Sequence, residues 1–331
     1  MKLSNIMFLS TLIMGTIITI SSYSWFSMWM GLEINLLSFI PLISKGSMSS
    51  SEASMKYFFV QMLASMLIMF VILMSLVNFE MFKPLDKLLS LILTSSLLMK
   101  LGMAPFHFWF IEVIEGMTWM MSLILLTWQK IAPMIVIQMN SIDFNFLNFI
   151  VILAMIISGL KSWNQASMKK ILALSSINHM GWMMSILLIN QSIWMVYFLI
   201  YSFMNIVLIL MLKINNITSI SQILNLKMDK NMKMLFFVNF MSLGGLPPFM
   251  GFYPKWLVLS ALTSLNLVLM SIMMILSTMF MLYTYIQILA QSLMLKNIES
   301  KINFSNSSNL IMFLNFLNIA GLIIFTLWMN F

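Results

Sequence analysis

The 331-residue chain has no cysteine, and all 17 of its basic residues are lysine. Without thiols there can be no disulfide, no thiolate-held iron–sulfur cluster and no cysteine nucleophile. The two histidines, His107 and His179, lie 72 positions apart, which leaves little for a haem or zinc site. Neither G-x-G-x-x-G nor G-x-x-x-x-G-K-[ST] occurs, so the glycine-rich cradles that hold nucleotide phosphates are missing. Charge is scarce as well: 8% of residues are charged and 61% are hydrophobic, with a mean hydropathy of +1.01. A soluble domain is excluded on those figures. About 20 apolar residues cross a bilayer, and the chain supplies that length many times over. It reads as an all-α polytopic membrane protein, its spans packed into one bundle.

What is abundant is methionine, at 40 residues. Residues with A/T-rich codons (Lys, Asn, Ile, Phe) crowd the chain. Reading ATA as methionine, as animal mitochondrial genomes do, accounts for this better than a Met-rich flexible interface. Translation inside a mitochondrion is the expectation. The net charge of +8 does not point to nucleic acid, because the lysines mostly flank apolar segments. MKLSNIMFLSTLIMGTIITI has the charge order of a signal peptide. Similar segments follow it and no small-residue cleavage site is evident, so it reads as the first span.

Eleven hydrophobic units are expected, at about 3–20, 24–43, 56–78, 88–111, 117–139, 145–160, 170–190, 193–213, 232–262, 266–291 and 309–329. The longest interruptions fall near 44–55, 214–231 and 292–308. Eleven crossings place Lys2, Lys45, Lys56, Lys161, Lys169, Lys170, Lys213, Lys227, Lys230, Lys233, Lys296 and Lys301 on the side of the N-terminus. The opposite side holds only Lys83 and Lys87. The positive-inside rule then puts the N-terminus in the matrix and Phe331 in the intermembrane space.

Two expected spans are irregular. Gly102-Met-Ala-Pro105-Phe106 and Gly245-Leu-Pro-Pro248-Phe249 share G-x-x-P-F, 143 residues apart. Proline removes a helix donor and clashes with the preceding turn, so each span should break. Freed backbone groups need protein or water around them. Paired interrupted helices point to inverted repeats, here about 1–139 and 145–291 with a final helix at about 309–329, related by an axis in the membrane plane.

Four charges sit alone inside apolar stretches: Glu33 in MWMGLEINLLSF, Lys100 in SSLLMKLGMAPF, Lys130 in LILLTWQKIAPMIVI and Lys255 in FMGFYPKWLVLSA. A charge at bilayer depth costs at least about 2–3 kcal/mol and marks a functional site by default. Lysine suits proton transfer because desolvation can free its proton near neutral pH, whereas arginine stays charged. A carboxylate beside an ammonium keeps both ionised, and separating them releases a proton. Together the four read as a proton path. Snorkelling to the headgroups explains Lys83 and Lys213 at span ends, fits Lys100 and Lys130 poorly, and competes most strongly at Lys255. His107 and His179 could relay protons or simply satisfy a broken helix and an interhelical bond. Glu112 and Glu115 fit a solvated, capping or interface role.

LLMKLGMAPFHFWFIEV, TWQKIAPM, SSINHMGWM and MSLGGLPPFMGFYPKW resemble the chain 2 family of mitochondrial NADH–ubiquinone oxidoreductase, the antiporter-like membrane subunits of respiratory complex I. The resemblance runs over essentially the whole chain. It implies two inverted five-helix repeats in a form that lacks the first three helices of the fourteen-helix family. It also implies residence in the mitochondrial inner membrane, with other membrane and accessory subunits and phospholipids such as cardiolipin as partners. By the resemblance Glu33 pairs with Lys100, Lys130 is the central lysine and Lys255 leads towards the exit. His107 occupies a motif position in the first break. Protons would move from matrix to intermembrane space as part of NADH:ubiquinone reduction. The chain itself would hold no cofactor, with NAD, FMN, iron–sulfur clusters and ubiquinone bound by other subunits. A stand-alone cation/proton antiporter is the first alternative, which native electrophoresis would separate by size. A purely structural subunit is the second, and it would tolerate neutral residues at Lys100 and Lys130.

Overall fold

The computed structural model describes residues 3–44, 47–77, 86–140, 143–225, 230–294, 315–318, 321 and 326. Lys2, Lys45, Lys83, Lys227, Lys296 and Lys301 of the sidedness count, and most of the expected last span, lie outside them. The first helices are α1 (Leu3–Ser21), α2 (Trp25–Ile43), α3 (Met48–Val77), α4 (Asp86–Leu101) and α5 (Phe108–Gly116). Then come α6 (Trp119–Leu126), a 3-10 turn (Trp128–Lys130), α7 (Ile131–Met139), α8 (Phe144–Ser162), α9 (Met168–Leu187) and α10 (Gln191–Ile214). The remainder are α11 (Ile220–Asn225), α12 (Lys230–Gly244), α13 (Phe252–Ser264) and α14 (Val268–Met294). Among the described residues, seven helical runs are long and apolar enough to cross a membrane: α1, α2, α3, the α6–α7 run, α8, α10 and α14. This is an all-α integral membrane protein.

Helix α9 is not in that set although its 20 residues would span. Every residue in it is buried except Lys169 and Lys170. A helix sheathed by other helices needs no lipid-facing apolar side, which is why α9 accommodates Ser175, Ser176, Asn178 and His179. The segment read from sequence as 88–111 comprises α4 and α5, and that read as 232–262 comprises α12 and α13.

Both of these interruptions begin in the same way. Gly102 has φ of 70° and Gly245 φ of 77°, a left-handed conformation that glycine adopts without a Cβ penalty. The Met103 amide donates to Leu98 O (3.1 Å) and the Leu246 amide to Met241 O (3.3 Å). Each is the six-to-one closure of a Schellman stop, which satisfies a carbonyl the helix end would leave bare. Pro105 and the Pro247-Pro248 pair follow, and helix resumes only at Phe108 and Phe252.

A third irregularity, at Trp128–Lys130, was not anticipated. Pro133 has no amide to donate to the Gln129 carbonyl four residues back, and its ring crowds that carbonyl. The chain tightens into a 3-10 turn just before it.

The chain forms two compact units, Met1–Ile150 and Val151–Phe331. In the first, α1 and α2 pack through Gly15 and Gly31. A Cβ on Gly15 would lie 2.9 Å from Asn35 N, and one on Gly31 2.8 Å from Gly15 O. Small residues let membrane helices approach backbone to backbone, where dispersion must replace the hydrophobic effect.

Candidate functional site

In the first unit the site is built on α2, α3, α4, α5 and the 3-10 turn. The Schellman stop at Gly102 ends α4 with Lys100 in its last turn, buried. The Lys100 carbonyl accepts a hydrogen bond from Gln61 Nε2 on α3 (3.1 Å). The 3-10 turn carries Lys130, which is 2% exposed. Its Nζ stands 5.7 Å from the centre of the Phe110 ring, in range of the ring's negative face.

Lys100 and Lys130 line one cavity, together with Asn35, Tyr57, Gln61, Trp109 and Gln129. Its volume open to the centre of a water molecule is about 20 Å³, room for one water. Asn35 Oδ1, Trp109 Nε1 and Gln129 Nε2 are buried and have no hydrogen-bond partner among the described residues. Three orphaned polar atoms on one small cavity are a site built for water, since buried polar groups otherwise carry a desolvation penalty of about 1–3 kcal/mol each.

Glu33 is set back from this lining, midway along α2. Its charge acts on both Lys100 and Tyr57, with no direct ion pair to Lys100 among the described contacts. One carboxylate oxygen, Oε1, is buried without a partner. His107 is 2% exposed and immediately precedes α5, with Nδ1 3.2 Å from Pro105 O. Glu112 pairs with Lys56 at 2.6 Å across α3 and α5, both side chains about half exposed.

In the second unit, α9 is the axis. His179 Nδ1 is 2.9 Å from the Tyr197 hydroxyl on α10. One turn further along α10, Asn205 Nδ2 donates to the Tyr201 backbone carbonyl at 3.0 Å, and Ser176 lies beside the Tyr201 hydroxyl. Tyr285 on α14 lies beside Ser175, and Asn178 Nδ2 reaches Ser158 Oγ on α8 at 3.5 Å. One turn beyond His179, the Trp182 ring centre lies 5.9 Å from Lys255 Nζ. Lys255 is buried on α13 and donates to Gly244 O, the last carbonyl of α12, at 2.8 Å. An ammonium there meets the negative end of a helix dipole.

The break beside Lys255 is tied to the chain's last described segment. Asn239 Nδ2 donates to Asn315 Oδ1 (2.7 Å), and Asn318 Nδ2 donates to Asn239 Oδ1 (2.7 Å) and Ser242 Oγ (3.0 Å). The Met250 amide donates to Asn318 O at 3.3 Å.

The six residues singled out from sequence thus divide into Glu33, Lys100, Lys130 and His107 in one unit and His179 and Lys255 in the other. Lys100 and Lys130 share a cavity lining. Sequence reasoning missed Tyr57, Gln61 and Gln129 around them, and Tyr197, Tyr201 and Tyr285 around His179. A signal existed for the glutamines: Gln61 stands alone in YFFVQMLASM, and Gln129 adjoins Lys130. Among the described residues no cluster of three or more His, Cys, Asp or Glu could hold a metal ion.

A family model described as NADH:quinone oxidoreductase/Mrp antiporter, transmembrane, matches residues 22–281. Among curated relatives, NADH-ubiquinone oxidoreductase chain 2 of Anopheles gambiae is 44% identical, with 98% of each chain covered. That of Locusta migratoria is 40% identical over 86% of this chain and 83% of its own. Among solved structures, respiratory complex I from Thermus thermophilus with bound aureothin contains a chain of the same fold. The TM-score is 0.86 at 22% identity, covering 97% of this chain and 78% of that one. The Mrp complex from Dietzia sp. matches with TM-score 0.73 and 18% identity, over 85% of this chain and 59% of that one. Fold and interior charges define an antiporter-type integral membrane protein. Within that class, the chain belongs to the NADH-ubiquinone oxidoreductase chain 2 family.

Proposed function

We propose that the chain is a proton-translocating membrane subunit of respiratory complex I in the mitochondrial inner membrane. The observation that carries this reading is the water-sized cavity lined by Lys100 and Lys130, with three orphaned polar atoms on it or at its wall. With one lysine charged and the other neutral, a single water there can take a proton from the ammonium and give one to the neutral amine, so neither lysine crosses the gap. Glu33 is the charge partner whose approach or withdrawal sets how firmly Lys100 keeps its proton.

In the second unit, His179 and the Tyr197 hydroxyl form a direct imidazole–hydroxyl link. A hydroxyl can take up one proton while giving another, so Tyr197 extends the relay of His179. Lys255, set against the α12 carbonyl end, is the station nearer the exit. His107 serves the first break.

The finer reading has eleven spans with the N-terminus in the matrix, protons moving from there to the intermembrane space, and α4–α5 and α12–α13 as the two broken spans of a twice-repeated plan. Redox chemistry and its cofactors belong to other subunits of the assembly. Those subunits and phospholipids such as cardiolipin surround the bundle.

The test is Glu33→Gln in the assembled complex, reconstituted in sealed vesicles and assayed for NADH oxidation and proton movement together. Coupled pumping is expected to fall about tenfold, because a unit charge acting across a poorly polarisable interior is worth at least about 1.4 kcal/mol. Unchanged turnover and proton-to-electron ratio in an assembled variant would refute the role of Glu33. Tyr197→Phe removes one hydroxyl and little volume. It is expected to slow pumping while leaving assembly intact, and normal pumping would restrict the relay to His179.

A further inference from the structure

The two breaks hold their lysines differently. Lys100 lies two residues before Gly102, in the helix that the stop ends, whereas Lys255 lies ten residues after Gly245, on α13. Its ammonium still bonds the Gly244 carbonyl of α12 at 2.8 Å, so this contact reaches across the break. Gly245 stands against the Lys255 stem, where an added Cβ would meet Cδ at 2.7 Å. With so little slack, small shifts of α13 against α12 decide whether the ammonium reaches its carbonyl.

The turns that lead from Leu246 into α13 are local. The Phe249 amide donates to Leu246 O (3.0 Å), the Phe252 amide to Phe249 O (3.1 Å) and the Tyr253 amide to Met250 O (3.3 Å). Asn318, by contrast, holds both sides of the break. Its Nδ2 donates to Asn239 Oδ1 (2.7 Å) and Ser242 Oγ (3.0 Å), in the last two turns of α12. Its carbonyl accepts from the Met250 amide, in the connecting loop, at 3.3 Å. The Ser242 hydroxyl gives its own proton to Asn239 O (2.8 Å), which leaves its oxygen to accept. Both amide hydrogens of Asn318 are thus spent on α12, while its buried Oδ1 has no hydrogen-bond partner among the described residues. Gly321 closes on the same loop: a Cβ there would lie 2.9 Å from Met250 Sδ. Asn318 is fully buried, so water does not compete for these bonds and each acts at low local dielectric.

We propose that Asn318 is a positioning residue for Lys255: it ties the last turns of α12 to the loop before α13 and so keeps the Lys255 ammonium at the Gly244 carbonyl. A seam that served stability alone would need only the bonds to α12. The bond to Met250 brings in the far side of the break. The role presupposes that Lys255 is a proton station.

The experiment compares assembled complex carrying Asn318→Leu, Lys255→Met or both, in sealed vesicles, with proton movement and NADH oxidation scored per assembled complex. Leucine keeps the bulk of asparagine and removes its donors. Asn318→Leu is expected to lower coupled pumping about tenfold, as a displacement of about 1 Å at a reacting group can. It should add nothing to Lys255→Met, because both changes act through one ammonium. Asn315→Leu, which cuts the seam at Asn239 Nδ2 and spares the tie to the loop, should keep the wild-type proton-to-electron ratio in the complex that assembles. In a density map of the Asn318→Leu complex, Lys255 Nζ should stand off Gly244 O. Wild-type pumping by Asn318→Leu, additive losses in the double variant, an equal loss in Asn315→Leu, or a retained Lys255–Gly244 bond each overturns the positioning role. Normal pumping by Lys255→Met refutes the station itself, and the positioning role with it. If Asn318→Leu does not assemble, Ser242→Ala, which removes one of its two α12 acceptors, takes its place. A loss that vanishes in the Lys255→Met background then supports the role, and no loss or an additive one overturns it.

Discussion

Lys130→Met is expected to abolish proton transfer through the first unit while leaving the complex assembled. Methionine keeps an unbranched stem of similar bulk, so it fills the space beside Phe110 and the cavity. What disappears is the titratable amine. A positioned proton donor or acceptor is worth about 10²–10⁴ in the step it serves, which is enough to remove this route from turnover. No neighbour on the cavity holds a proton as a second ammonium would: Asn35, Gln61, Gln129 and Trp109 do not titrate, a phenol such as Tyr57 can only pass a proton along, and Lys100 is the group Lys130 must exchange with. Sealed vesicles, with NADH oxidation and proton movement followed together, give the readout. A normally assembled variant with wild-type turnover and proton-to-electron ratio would show that Lys130 is not a station.

The second large effect concerns two adjacent glycines with opposite expected outcomes. Gly245→Ala should sharply reduce the amount of assembled complex, whereas Gly244→Ala should be tolerated. At 245 the backbone has φ of 77°, where a non-glycine residue carries strain of about 1–3 kcal/mol. The new methyl group would also stand 2.7 Å from Lys255 Cδ and 2.8 Å from its Nζ, pushing the ammonium off the Gly244 carbonyl. At 244 the same methyl meets Leu282 and Tyr285 at 3.6 Å, ordinary van der Waals distance. Native electrophoresis of the two variants side by side is the check. Equal assembly would mean that the backbone at the break can relax, and equal loss would mean that the whole turn is intolerant.

How far the sequence revealed this arrangement follows from the kinds of residue involved. Glu33, Lys100, Lys130 and Lys255 stood out because a charge in an apolar run is costly wherever the chain folds. The turns after Gly102 and Gly245 were legible for a similar reason: glycine followed by proline cannot continue a helix. Tyr197, Tyr201 and Tyr285 were not legible, since tyrosine is at home at any membrane interface. Their meaning comes only from Ser175, Ser176 and His179 on another helix, as much as 110 residues away in sequence from Tyr285 to Ser175. Helix α9 shows the same limit. Its hydroxyl and amide groups lower its apparent fitness for lipid, and only the surrounding helices reveal that lipid never touches it. The 3-10 turn at Trp128–Lys130 was readable in principle from Pro133, but its neighbouring apolar residues masked the signal.

The asparagine cluster bears on how the chain is made. Asn239 is synthesised well before Asn315 and Asn318; its Nδ2 also meets Met211 Sδ, but its Oδ1 accepts from Asn318 in that late segment. A polypeptide halted by ribosome drop-off before Asn315 would leave Asn239 Oδ1 and the Met250 amide without these partners inside the bilayer, where an unmatched polar group is costly. Synthesis of the stretch that carries Asn315 and Asn318 thus acts as a check on folding: a nascent subunit matches this polar seam in full only after that stretch has arrived.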